Sequence, residues 1–165
     1  MNFRWITILQ LGLVALLLAA ASDASVVGTF DRTLTVAGPV DLEVLTHSGD
    51  ITVRSGPAGT VAIHATIHLG SRWLTGSHDR EVHELEQNPP IHQNGNNIRI
   101  EYADVRDISV DYQIIVPTET TLRSHTGSGN QTVNGLKGQI ELESGSGDLR
   151  LARLTGEMHF HTGSG

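Results

Sequence analysis

The sequence predicts an all-β protein: a parallel β-solenoid of about 18 residues per rung, preceded by a less regular, largely antiparallel β region with one short helical insertion. Three observations predict it. Thr126-Gly127-Ser128-Gly129, Ser144-Gly145-Ser146-Gly147 and Thr162-Gly163-Ser164-Gly165 recur at a fixed spacing, with 145 − 127 = 18 and 163 − 145 = 18. Apolar and polar residues alternate with period 2 along most of the chain, the mark of half-buried strands. The 165 residues include 18 Gly and no Cys, so an exported form has no disulfides and depends on backbone ladders and apolar burial.

Met1 to Ala24 reads as a secretory leader, with Arg4 as its basic end, an apolar run from Trp5 to Ala21, and Ser22 and Ala24 as the small −3 and −1 residues before cleavage; cleavage before Ser22 is the neighbouring alternative, and a retained membrane anchor the competing reading. No Cys follows the run, so a lipid anchor of that type is excluded. Cleavage leaves residues 25–165 as one domain, with 10 basic against 17 acidic residues once Arg4 and Asp23 are removed. That balance argues against nucleic acid and against anionic lipid surfaces as partners.

Val40, Leu42 and Val44 alternate with Asp41 and Glu43 after the Gly38-Pro39 turn, and Ser48-Gly49-Asp50 turns the chain into Ile51-Thr52-Val53. Gly56-Pro57-Ala58-Gly59 then leads into a strand with Val61, Ile63, Ala65, Ile67 and Leu69 inward. This early block matches the 18-residue unit with one residue added near Pro57, as a diverged copy would. Alternation fails from Gly70 to Asn97. There His78 to Glu86 has Val82 and Leu85 at helical spacing, acids in its first turn, and Asn88-Pro89-Pro90 as its stop. Trp73 and Leu74 are expected to pin this insertion to the sheet. Gln93-Asn94-Gly95-Asn96 is a turn, followed by strands carrying Ile98, Ile100 and Tyr102, then Ile108, Val110, Tyr112, Ile114 and Val116.

In the repeat, equivalent residues of successive rungs are expected one strand spacing apart, about 4.8 Å. Leu122, Ile140 and Met158 then stack inside, and Leu151 is expected in the core. Arg123, Glu141 and His159 form one outer ladder, and His125, Glu143 and His161 another, with opposite or potentially opposite charges alternating. The last rung, Met158-His159-Phe160, has no visible cap. The expectation is either a longer array truncated here at its C-terminus or end-to-end self-association through that open rung.

Val110-Asp111-Tyr112-Gln113-Ile114-Ile115-Val116-Pro117 leading into the Thr-Gly-Ser-Gly units, with Ser48-Gly49-Asp50-Ile51-Thr52-Val53 and Asn88-Pro89-Pro90-Ile91 upstream, resembles the bacterial putative-adhesin domains built from β-strand repeats. The resemblance spans essentially all of residues 25–165 and implies a β-solenoid with no catalytic residues. Asn130 and Gln131 depart from the family's pattern, where an Asp and an aliphatic residue are usual, which implies a looser first rung.

His159 and His161 share a strand face beside Glu141 and Glu143, but zinc needs three ligands converging within about 2.0–2.2 Å, and flat ladders diverge. His64 and His68 stand roughly 13 Å apart on one strand, and His83-Glu84 lacks the second His of a metalloprotease helix. Asp50 and Asp148 after Ser-Gly are like those of calcium-binding nonapeptide repeats, yet the period is wrong and Asn130 replaces one of them. They are expected to bond their own turn backbones. No catalytic residue, cofactor or metal site is therefore expected. The reading is a non-enzymatic module exported to the periplasm, cell envelope or exterior, without stable membrane insertion after leader cleavage, binding a surface ligand or protein partner. The alternative is a polysaccharide-acting β-helix enzyme using Glu141 and Glu143 as paired carboxylates.

Overall fold

Period-2 alternation becomes twelve strands in a computed structural model that describes residues 25–70 and 79–165. The leader expected over 1–24 and the contacts expected of Trp73 and Leu74 lie outside those described residues. In chain order the elements are β1 (Ser25–Thr35), β2 (Val40–Ser48), β3 (Ile51–Gly56), β4 (Thr60–Leu69), α1 (Asp79–Gln87), β5 (Ile91–Asn94), β6 (Asn97–Ile100) and β7 (Ile108–Pro117). Then come β8 (Thr120–Ser128), β9 (Gln131–Asn134), β10 (Ile140–Ser146), β11 (Leu149–Ala152) and β12 (Met158–Thr162). They form two six-stranded, mixed, largely parallel sheets, ordered β1-β4-β7-β3-β9-β11 and β12-β10-β8-β2-β6-β5, whose apolar faces share one core.

Parallel pairing follows the repeat. Leu122, Ile140 and Met158 stand in register across β8, β10 and β12, and Val133 pairs with Leu151 across β9 and β11. The early block stacks on the first regular unit, Leu42 beside Leu122 and Val53 beside Val133, so β2–β3 forms a tier like those that follow. The intervening chain goes to the other side of that tier. There β6 pairs in parallel with β2, and β7 with β3, making a further tier out of the insertion itself. Antiparallel pairing is confined to that end: β5 with β6, β4 with β7, and β1 with β4.

Helix α1 covers the antiparallel end because Val82 and Leu85, three residues apart, bury one stripe. Arg32 on β1 donates to the carbonyls of Glu86 and Gln87 at 3.0 and 2.8 Å, supplying partners to the last turn of the helix. Two expectations fail here. Tyr102 does not continue β6; the strand ends at Ile100, and the ring lies exposed against His47. Leu151 is not a core residue. It is 37 % exposed, with Met158 at 36 % and Phe160 at 41 %, against 0–1 % for Leu122, Val133 and Leu142. Among the described residues no strand pairs beyond β11 and β12, so their inward side chains are covered from one side only.

The row Phe30, Ala65, Tyr112, Ile51, Gln131 and Leu149 crosses all six strands of the first sheet. Tyr112 anchors it, edge-on to Phe30 at 6.3 Å, but its hydroxyl is buried without a partner. Burial holds the phenol well above its ordinary ionisation range. Because the unfolded chain ionises near 10 and the folded one higher, the folded state binds more protons above that pH and stability falls as pH rises through the alkaline range. Replacing Tyr112 by Phe removes the unpaired hydroxyl. It is expected to leave stability unchanged or raise it by about 1 kcal/mol at neutral pH and to flatten the loss above pH ~10, read as thermal midpoints of the two proteins across pH.

Candidate outer-face site

In-register parallel stacking places like positions side by side, so the outer face of the second sheet carries continuous rows. One row crosses all six strands: His92, Arg99, Glu43, Arg123, Glu141 and His159. Beside it run Leu45, His125, Glu143 and His161. Both outer ladders expected from the 18-residue spacing are therefore present in register.

Their ionic contacts differ from the expected ones. Arg123 donates to Asp41 Oδ1 at 2.9 Å, and His159 lies 3.0 Å from Glu157, so neither engages Glu141. Glu141 has no ion-pair partner among the described residues. Diagonal neighbours win because a guanidinium on a four-bond stem reaches the adjacent row as easily as its own. Glu143 does pair as expected, with His125 Nδ1 at 3.2 Å from its Oε2. Arg99 bridges Glu43 at 3.4 Å and Glu101 at 3.2 Å.

Two open depressions adjoin on this face. One of about 240 Å³ is lined by Leu45, His125, Glu141 and Glu143, the other of about 330 Å³ by Asp41, His92, Asn97 and Arg99, and Glu43 and Arg123 line both. The two carboxylates singled out from sequence thus share one depression, with a His bonded to one of them. Among the described residues no group of three His, Cys, Asp or Glu converges as a metal site. His64 and His68, the other spaced pair, contact Asp31 and Asp111 at 2.8 and 2.9 Å.

Asp50 and Asp148 do not bond their own turns. Asp111 Oδ1 accepts from the Asp50 N–H at 2.8 Å, Asp50 Oδ1 from the Asn130 N–H at 2.8 Å, and Asn130 Oδ1 from the Asp148 N–H at 3.0 Å. Each side chain caps the next tier, a use invisible in a single turn. The column also explains Asn130. Its amide donates to both Asp50 oxygens, at 3.3 and 3.4 Å, where a carboxylate would add a like charge one strand spacing away from two others. Gln131, expected to loosen this tier, is fully buried and donates to the Glu143 carbonyl at 2.6 Å, linking the two sheets.

Asn130→Asp should accordingly destabilise the protein by about 1–2 kcal/mol near neutral pH. Like charges raise the new carboxyl's folded-state ionisation, so the penalty is present above it and fades as pH falls through ~4, below the unfolded value. Parallel melting curves of parent and variant at neutral and acid pH check this.

No family model and no curated protein matches the chain. Among solved structures it is similar to a putative cell adhesion protein from Clostridium sporogenes, at 7 % identity, covering 84 % of this chain and 100 % of that one, with a TM-score of 0.40. At that degree of superposition the likeness transfers no function.

Proposed function

We propose that this chain is a non-enzymatic binding module, a β-solenoid exported to the cell envelope or exterior, that presents the outer face of its second sheet to a macromolecular surface. The six-strand row from His92 to His159 is the observation that carries this reading. Five strand spacings make the row about 24 Å wide, a rigid patch of alternating sign on the scale of a protein or polymer contact. Two adjoining depressions centred on Glu43 and Arg123 give it relief. Export rests on the leader-like residues 1–24; among the described residues no helix is long and apolar enough to cross a membrane.

Sedimentation of purified protein with isolated envelope fractions tests the reading. Binding is expected at about 0.05 M salt, weakened at about 0.5 M as screening shortens to a few Å. Arg123→Glu should reduce it at least tenfold. Equal retention by parent and Arg123→Glu would refute the face, and cleavage of an envelope polysaccharide that Glu141→Gln abolishes would establish the enzyme instead.

A further inference from the structure

A further cavity lies away from the outer-face rows, where β2 and β4 end and β7 begins. It measures about 460 Å³, within the roughly 300–1,000 Å³ of small-molecule clefts, and its polar lining is His47, Ser48, Asp104, Arg106, Asp107 and Ser109. We infer that this cavity binds a neutral saccharide unit.

Three features of the lining point that way. First, the side chains of Asp104, Arg106 and Asp107 have no hydrogen-bond or ion-pair partner among the described residues, so their bonding capacity remains for a ligand. Second, that capacity is of both kinds: carboxylates only accept, a guanidinium only donates, and the two Ser hydroxyls do either. Vicinal sugar hydroxyls, each donating once and accepting once, match such a set. A charged ligand of either sign would meet both a like and an opposite charge here, whereas a neutral hydroxyl-bearing one can use the acceptors and the donors together. Third, the lining includes one flat ring. His47 is stacked on Tyr102 at 4.4 Å and 19°, and Tyr102 is braced edge-on by His125 at 6.4 Å. Together with Val105 and Ile108 the fixed imidazole offers a wall for the C–H face of a pyranose.

The backbone is consistent with a built site. Asp107 has φ of 59°, a left-handed conformation that costs a side-chain-bearing residue energy. It is held there by the Gly70 N–H, 2.9 Å from the Asp107 carbonyl, and by the β4–β7 pairing that begins at Leu69 and Ile108.

Saturation-transfer NMR and calorimetric titration with methyl glucoside, methyl galactoside, methyl mannoside and methyl N-acetylglucosaminide test the inference. At least one is expected to bind with a Kd in the millimolar range. Asp107→Gly should weaken it at least tenfold while the thermal midpoint stays level or rises, a separation that a purely structural role for Asp107 does not produce. Arg106→Gln should weaken it similarly. Arg123→Glu should leave it unchanged, so that failure of the outer-face reading and failure of this one are told apart. The inference is overturned if none of the four sugars binds, if binding survives both Asp107→Gly and Arg106→Gln, or if inorganic phosphate or ethylammonium displaces the bound sugar.

Discussion

Close approach between successive tiers is the constraint on which the rest of this structure depends. A Cβ on Gly127 would lie 2.5 Å from the His47 carbonyl oxygen, one on Gly145 at the same distance from that of Gly127, and one on Gly163 at 2.8 Å from that of Gly145. At such corners steric exclusion admits only glycine, whatever the turn conformation. The corner hydroxyls add to the hold, Thr126, Ser144 and Thr162 reaching the carbonyls of Gly49, Gly129 and Gly147 in the tier before. Register is therefore set at the corners, and the strands between inherit it. A slip of one residue would turn every inward Leu and Ile outward, so corner and core enforce the same alignment.

The consequence for function is that the regular tiers can present only periodic chemistry. Every position has an in-register neighbour one strand spacing away, which gives flat rows with shallow depressions between side chains. Charged rows of this kind suit a partner that is itself extended. The residues in a row differ from strand to strand, and from Arg99 through Glu43 and Arg123 to Glu141 the signs alternate, which avoids like charges at about 5 Å. At the corner column the solution is different: Asn130 interrupts a run of carboxylates with an amide that donates on one side and accepts on the other.

Residues whose environment is set by spacing were legible in the sequence. The inner column of Leu122, Ile140 and Met158 and both outer ladders follow from period 18 and period 2 alone, and α1 follows from Val82, Leu85 and the prolines after it. The rest depends on partners distant in sequence. That β6 and β7 form a tier of their own requires knowing that Leu42 meets Ile98 and Ile51 meets Tyr112, contacts 56 and 61 residues apart. Period 2 continued through Tyr102, yet the ring leaves the ladder because His47, across the sheet end, provides a stacking partner. Likewise Asp50 looked like an ordinary turn residue, since its acceptor geometry points at Asn130, 80 residues on. Glu141 and Glu143 were correctly placed side by side, while the diagonal choice of Arg123 depends on rotamers that spacing does not encode.

Departures from periodicity concentrate in the segment between β6 and β7. This stretch is not a repeat of anything, so it is free of the glycine corners and of the row rule, and it holds Asp107 at positive φ, one ring of the Tyr102–His47 stack and much of the lining of the 460 Å³ cavity. It is nevertheless anchored on both sides by ladder, through Ile100 in β6 and Ile108 in β7. A rigid periodic scaffold with one irregular segment clamped between its strands is the arrangement in which a binding loop can keep strained or unpaired groups without unravelling. On the two proposals above, this segment would hold a small ligand and the rows an extended surface, and His125 touches both: it bonds Glu143 on the outer face and lies edge-on to Tyr102, which stacks on His47.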